Sequence, residues 1–330
     1  MKPKLRIHFV DFWDKFQKDS NFLLTSVEVI YEVELDDQNP QIVFFSHFGN
    51  EHKKFEKSVL FFFSGEPLNI DFSKCDYALS WRFLKRRNHY RLPLFKMYFQ
   101  DVQRWEQKYG QAKSPKQILS DWSEKKGLCC MVVSNPNCEV RNNVYRELSK
   151  YIPIDSGGRH LNNIGGPVQS KSDFIKNYKF VLSFENSTHP GYTTEKIFEP
   201  ILEGCIPIYW GNILVDRDVN KDRFLNYKDF RNCEDLAAEI LDIDANIDKA
   251  LEILNSSVFP NNSNHYDMTK DPEYLSFLSN ALKKGSKRSY EYRKILRLSR
   301  TPTKRIKQKV KMPLILLKKL IGFEKLFFSI

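Results

Sequence analysis

No Cys-x-x-Cys pair occurs in the 330 residues, and the six cysteines, Cys75, Cys129, Cys130, Cys138, Cys205 and Cys233, show no disulfide-framework spacing. Several lie in apolar runs, where a thiol behaves as a small hydrophobe, so a reduced cytoplasm is expected. The opening MKPKLRIHFVDFWDKF carries Asp11 and Asp14 and lacks the apolar core of a leader peptide; neither signal peptide nor anchor is expected. Glycine is scarce at 13 residues, which leaves little for long flexible linkers. Internal repeats and low-complexity segments are absent. Asp-x-Asp pairs occur only at Asp216-Arg217-Asp218 and Asp242-Ile243-Asp244, which read as solvated turns, so no metal site is expected. Most of the chain also lacks the basicity suggested by its formal charge of +11. From Lys283 onward 16 basic residues face two acidic ones, whereas the first 282 residues are net −3.

What is present argues for well-filled cores: 41% hydrophobic residues, 14% aromatic, 26 of them Phe. The length suffices for two domains. Strand-like runs stand at Leu5–Val10, Val27–Val33, Ile42–Ser46 and Val59–Phe63, with a weaker one at Tyr77–Trp81. They read as continuous apolar stretches, as in a parallel sheet covered on both faces. Aromatics at Phe95, Tyr98, Phe99 and Trp105 have helical spacing. The polar stretch Gly110–Gly127, with Pro115, predicts the domain boundary. Beyond it come a strand at Leu128–Val133, a helix at Val140–Tyr151, glycine-rich loops at 155–158 and 165–167, and one or two helices over Cys233–Leu254.

The segment YKFVLSFENSTHPGYTTEKIFEPILEGCIPIYWG, Tyr178–Gly211, is the most informative. An apolar run, Phe180–Phe184, precedes a polar loop. The helix start Thr193-Thr194-Glu195-Lys196 follows, and a second apolar run, Ile206–Trp210, closes a βαβ unit. Pro200 should kink or shorten the helix, and Gly204 should stop it. In open α/β sheets ligands sit at the carboxyl ends of strands, with anions drawn to helix N-termini.

Phe184-Glu185-Asn186-Ser187, then Gly191-Tyr192-Thr193-Thr194-Glu195-Lys196-Ile197, then Ile206-Pro207-Ile208-Tyr209-Trp210-Gly211 resembles the signature of the α-1,3-fucosyltransferases. That family moves L-fucose from GDP-fucose onto N-acetylglucosamine or glucose. Two weaker blocks lie upstream in the required order. One is Phe63-Ser64-Gly65-Glu66-Pro67, with Cys75-Asp76-Tyr77-Ala78 and Arg91-Leu92-Pro93-Leu94; the other is Ser134-Asn135-Pro136-Asn137 with Arg141-Asn142. The likeness spans roughly residues 5–235. It implies a GT-B architecture of two Rossmann-like α/β domains facing across a cleft: an acceptor domain over 1–124 and a donor domain over 125–285. It also implies inversion, and a bacterial type that works without an N-terminal anchor.

Replacing GDP on a sugar requires positive charge or N–H groups for the departing diphosphate, negative charge near an oxocarbenium-like sugar, and a base for the acceptor hydroxyl. Lys196 is a cation in the first turn of a helix, where the dipole disfavours it, so a bound diphosphate would compensate. A solvated surface lysine is the plain alternative. Arg141 opens a helix and suits a bidentate phosphate clamp or, equally, a surface ion pair. The resemblance implies that both contact the diphosphate, with no obligatory metal, and makes Glu195 a donor contact to the ribose or fucosyl group. Helix capping alone would also explain Glu195. Glu185, Asn186, Tyr192 and Thr194 complete the expected donor set, although Glu185 and Asn186 equally suit holding the loop, and Tyr192 suits packing. Glu66 follows the run Val59–Phe63 in a Gly-Glu-Pro turn, and the family's Glu at this position is the proposed general base. Pro67 departs from the usual Asn. Trp13 suits a sugar platform or core packing, and His189 an acceptor contact or a surface site.

Residues 286–330 form a basic, amphipathic tail: Lys304, Arg305, Lys307, Lys309 and Lys311 precede Pro313, and the apolar Leu314–Ile330 is broken by Lys318, Lys319 and Lys325. That is poor for a membrane span and good for a helix at the headgroup boundary of an anionic membrane. The expectation is a peripheral protein on the inner face of the cytoplasmic membrane, acting on a GlcNAc- or Glc-containing glycan such as lipopolysaccharide lactosamine, with no nucleic-acid partner. A transferase for another GDP-sugar or acceptor, a non-catalytic glycan- or nucleotide-binding protein, and a basic-tailed nucleic-acid binder are the rivals.

Overall fold

The computed structural model describes residues 2–98, 114–260 and 267–283. Six of its strands, β1 (Lys4–Val10), β2 (Glu32–Leu35), β3 (Ile42–Phe45), β4 (Val59–Ser64), β5 (Tyr77–Ser80) and β6 (His89–Arg91), form one sheet in the order β2-β1-β3-β4-β5-β6. Five more, β7 (Gly127–Met131), β8 (Ile154–Ser156), β9 (Tyr178–Phe184), β10 (Ile206–Trp210) and β11 (Leu225–Asn226), form a second in the order β11-β10-β9-β7-β8. Neighbouring strands in both sheets are parallel. Parallel sheets need cover on both faces, which the continuous apolar runs foreshadow. In the first sheet Ile7, Phe9, Phe44, Phe61 and Phe63 pack on one face, and Val43, Phe45, Leu60 and Ala78 on the other.

The helices are α1 (Phe22–Glu28), α2 (Phe95–Tyr98), α3 (Pro115–Ser123), α4 (Glu139–Leu148), α5 (Lys171–Ile175), α6 (Glu195–Leu202), α7 (Cys233–Ala245), α8 (Ile247–Asn255) and α9 (Pro272–Lys283). Helix α1 corrects the strand expected at Val27–Val33. The Asn21 side chain accepts from the backbone N–H of Leu23 (3.1 Å) and Leu24 (2.9 Å), and this cap starts a helix that runs to Glu28. The strand begins only at Glu32. Three-residue β6 and β8 were too short to stand out as apolar runs.

Two segments depart from the expected domain spans. Helix α3, capped by Ser114 with Pro115 at its first turn, lies in the stretch read as a linker, yet its Trp122 sits edge-on to Phe180 in the core of the second sheet. Helix α9 falls within 125–285 but packs Tyr274, Leu278, Ala281 and Leu282 into the core of the first sheet. The chain therefore returns to its first domain after completing the second. The tail at 286–330 lies outside the described residues.

Candidate active site

The carboxyl ends of both sheets carry the polar loops, as parallel topology requires. In the second sheet, Phe184 ends β9 and Glu185 turns inward, fully buried. Its carboxylate accepts from the Thr194 backbone N–H (2.8 Å), the Thr194 hydroxyl (2.7 Å) and, at 3.5 Å, the Tyr209 hydroxyl. Thr194 in turn caps α6, accepting from the Lys196 N–H at 3.4 Å. Gly211 has no room for a Cβ, which would lie 2.4 Å from the Glu185 side chain. Burial raises the Glu185 carboxyl above its ordinary range, against the opposing pull of Lys196 and the Thr194 bonds. Of the two roles open to Glu185, these bonds favour holding the loop.

Lys196 is not the uncompensated cation its position in the helix suggested. Its ammonium lies 3.0 Å from the Thr194 hydroxyl, 3.2 Å from the Glu195 carboxylate and 3.4 Å from that of Glu185. Burial works to lower its pKa, but the two carboxylates outweigh burial and raise it. Burial likewise pushes the Glu195 carboxyl up, and Lys196 and the helix-start N–H overcome it, leaving a net lowering. The ammonium thus makes two hydrogen bonds and a further ion pair within the protein, and a phosphate contact competes with them.

Arg141 is the opposite case. It is 1% exposed, on the first turn of α4. Its guanidinium donates to Asn186 Oδ1 (3.1 Å) and to the carbonyl of Asn135, and its Nε–H is buried with no acceptor. Among the described residues no carboxylate pairs with it, and burial lowers its pKa with only Cys138 opposing. The sequence reading of a surface ion pair is thereby overturned. The N-terminus of α4 also has no side-chain cap. A buried cation with an orphan donor thus lies at the start of a helix without a side-chain cap, a combination whose chemistry suits an anion. The exposed Asn186 and the Glu185 carbonyl, which accepts from the Cys138 thiol (3.4 Å), join this place to the α6 cluster.

In the first sheet Glu66 follows β4 and is exposed. The Trp81 indole N–H donates to its carbonyl at 2.8 Å. The Glu66 charge acts on His47, in the loop after β3, and on Tyr192, across in the second domain. The bond to Trp81 sets the Glu66 turn at the carboxyl end of the first sheet, beside the Trp81–Tyr192 contact. Tyr192 is buried edge-on to Trp81, with ring centroids 5.4 Å apart, and His189 lies 5.6 Å from the same indole. Tyr192 therefore packs between the domains. Trp13 is half-buried against Phe12, Phe16 and Phe48, largely as packing.

Two groups escaped the sequence reading. Asp11, held at φ +59°, accepts from the N–H of Glu51 (2.8 Å) and His52 (3.0 Å) and pairs with His52 Nδ1 (2.6 Å), tying together the loops after β1 and β3. Asp218, read as a solvated turn, is buried and pairs with Arg91 at 2.7 Å from the other domain. An apolar-pattern reading has no signal for either; Arg91 stood in a matched block without a role. Asp242 pairs with Lys249 at the surface, and Asp244 of α7 pairs with the half-buried Lys179 of β9.

Comparison with known proteins gives two family matches. Residues 7–98 match the alpha-(1,3)-fucosyltransferase FucT N-terminal domain, and residues 122–255 the glycosyltransferase family 10 (fucosyltransferase) C-terminal region. Alpha-(1,3)-fucosyltransferase FucT of Helicobacter pylori is 28% identical over 270 residues, 71% of this chain and 56% of the relative. The 4-galactosyl-N-acetylglucosaminide 3-alpha-L-fucosyltransferase 9 of Mus musculus is 37% identical over 127 residues, covering 37% of this chain and 34% of the relative. The chain thus spans about half the length of the H. pylori relative. A crystal structure of an alpha1,3-fucosyltransferase with GDP-fucose superposes with a TM-score of 0.69 at 25% identity, covering 86% of this chain and 91% of the other.

Proposed function

The chain belongs to glycosyltransferase family 10, the fucosyltransferases, and from that membership we propose that it moves L-fucose from GDP-fucose to O3 or O4 of a GlcNAc or Glc residue in a glycan. The observation that carries the reading is Arg141: a buried guanidinium with an orphan N–H and, among the described residues, no counter-anion, beside an uncapped helix N-terminus. A diphosphate supplies what that place lacks. Its charge grows as GDP departs, so a preorganised cation there stabilises the transition state more than the ground state.

Lys196 joins Arg141 on the diphosphate by giving up its bond to Glu195, the more exposed of its two carboxylate partners. Glu195 is then free to meet the ribose or the fucosyl hydroxyls, with Asn186 and Thr194 beside it. Glu185 and Tyr192 act by holding the loop. With both glutamates ionised, the Glu185–Glu195–Lys196 cluster carries one net negative charge, which suits an oxocarbenium-like sugar. Glu66 takes the proton of the acceptor hydroxyl from the opposite side of the cleft, and attack on the face away from GDP inverts the sugar carbon. With two protein cations serving the leaving group, transfer should proceed without a divalent metal.

The acceptor we infer is a lactosamine-type glycan of a surface lipopolysaccharide, met at the cytoplasmic face of the membrane. The basic, apolar tail supports this placement. Co-sedimentation with anionic vesicles should be lost when the chain ends at Lys283; equal sedimentation of both forms would refute it.

GDP release from GDP-fucose, in EDTA and with N-acetyllactosamine present or absent, tests the reaction in wild type and Glu66→Gln. Acceptor-dependent release in wild type, lost in the variant while GDP still binds, is the expected result. GDP binding without release over lactosamine, lacto-N-biose and lactose would point to another sugar or acceptor. Absence of GDP binding would sink the reading.

A further inference from the structure

We propose that Arg91 is a positioning residue that sets the distance between the Glu66 carboxylate and the donor loop, an inference that rests on the transferase reading above. Arg91 ends β6 in the first domain, yet its partners lie in both domains. Its two terminal nitrogens donate to the two Asp218 oxygens, each at 2.7 Å, and Nη2 also donates to the Gly191 carbonyl at 2.9 Å. Its Nε donates to the Trp81 carbonyl at 3.0 Å, and the guanidinium stacks on Phe83 at 4.1 Å. Almost all of the donor fork is therefore committed, in a place where Asp218 is 3% exposed.

The contacts on either side of Arg91 lead to the two halves of the reaction. Toward the acceptor side, Trp81, whose carbonyl Arg91 holds, donates its indole N–H to the Glu66 carbonyl at 2.8 Å. Toward the donor side, Asp218 accepts from the Thr193 hydroxyl at 2.7 Å, and Asn212 receives the Gly191 N–H at 2.7 Å. Thr193 precedes Thr194, the cap of α6 that Glu185 grips. The loop is seated tightly: at Gly191 (φ +97°) a Cβ would lie 2.7 Å from the Trp81 carbonyl oxygen. A continuous set of hydrogen bonds thus joins the Glu66 turn to the start of α6 through one guanidinium. A buried ion pair contributes little net stability but fixes geometry, and a lysine cannot reproduce the fork.

Because the bridge sets a distance and binds no substrate, its loss has a distinctive signature. Transfer to a glycan needs the acceptor oxygen, the base and the fucosyl carbon in register. Attack by water, which reaches the cleft from any side, does not. GDP binding, acceptor-dependent transfer and acceptor-independent hydrolysis of GDP-fucose are therefore measured for wild type, Arg91→Lys and Asp218→Asn, with circular dichroism to verify folding. In Arg91→Lys we expect kcat for transfer to fall about a hundredfold, with hydrolysis and the Kd for GDP within about threefold of wild type. Asp218→Asn should shift the hydrolysis-to-transfer ratio in the same direction, and it decides the matter if Arg91→Lys does not fold. Parallel loss of transfer, hydrolysis and GDP affinity would overturn the inference, since that is what a merely structural contact predicts. So would undiminished transfer. A wild-type protein that neither binds GDP nor releases it would instead refute the transferase reading.

Discussion

At the scale of single residues, two cations in the donor domain have opposite environments. Lys196 is matched by two carboxylates, whereas Arg141 has none among the described residues and keeps one N–H without an acceptor. A buried charge without a counter-ion detracts from the stability of the empty protein, and removing it loses only its bonds to Asn186 and the Asn135 carbonyl. Arg141→Met should therefore melt, without ligand, within about 1 kcal/mol of wild type. GDP at a hundredfold over its Kd should stabilise wild type by about 2.7 kcal/mol and the variant not at all. Thermal melting with and without GDP checks both; equal GDP stabilisation of the two proteins would remove Arg141 from the phosphate site.

At the scale of elements, helix α9 is fastened to the first domain by a small ionic cluster. Asp271 accepts from Lys96 (2.8 Å) and from the Tyr90 hydroxyl (2.9 Å), all largely buried. Burial pushes the Asp271 carboxyl up, but Lys96 and the hydrogen bonds outweigh it, so its folded pKa lies below the ordinary 3.8. A lowered carboxylate stabilises the fold above its unfolded pKa and ceases to do so as pH falls through the folded one. Strand β6 adds a second acid sensitivity in another window. His89, buried with its ring nitrogen 2.9 Å from the Ser80 hydroxyl, is lowered from 6.5 to about 4, chiefly by burial. The folded state then binds fewer protons than the unfolded one, so stability declines as pH falls from 6.5 to about 4 and levels off below. Melting across pH should show His89→Gln removing a slope worth about 3 kcal/mol in the upper window. Asp271→Asn should cost about 3 kcal/mol at neutral pH, where Lys96 loses its buried counter-ion. That deficit should narrow only below pH 3.8. An Asp271→Asn deficit that stays constant down to pH 2 would contradict the assignment.

For the whole molecule, the first domain is not complete at the end of β6. Tyr274, Leu278 and Leu282 of α9 fill the same core as Ile7, Phe44 and Phe61. Each large side chain fully buried there contributes about 1.5–3 kcal/mol, against a total stability of about 5–15 kcal/mol for a domain. Ending the chain after residue 266 should therefore unfold the first domain, seen as rapid proteolysis of residues 2–98, whereas ending it at Lys283 should not. Equal protease resistance of the two truncations would show that α9 is dispensable. The same return of the chain, together with the Arg91–Asp218 bridge, couples two domains that sequence order alone would separate.

By itself the sequence determined the two parallel sheets, the βαβ unit at 178–210 and the family. Those features rest on local signals: unbroken apolar runs for strands buried on both faces, Thr194 as a cap, Gly204 as a stop, and side chains in fixed order around them. The capped helix at 22–28 was equally local, but its Asn21 cap was masked by the apolar run at Val27–Val33 that overlaps its end. Only the tertiary structure decided what each charged group does, because a charge takes its role from partners far along the chain. Lys196 acquired Glu185 across the turn from β9 to α6, Asp218 acquired Arg91 from 127 residues away, and Arg141 acquired no anion among the described residues. Burial gives such encounters their consequence, since a lysine or an arginine that water would solvate must, inside a protein, be matched by its neighbours or by a ligand.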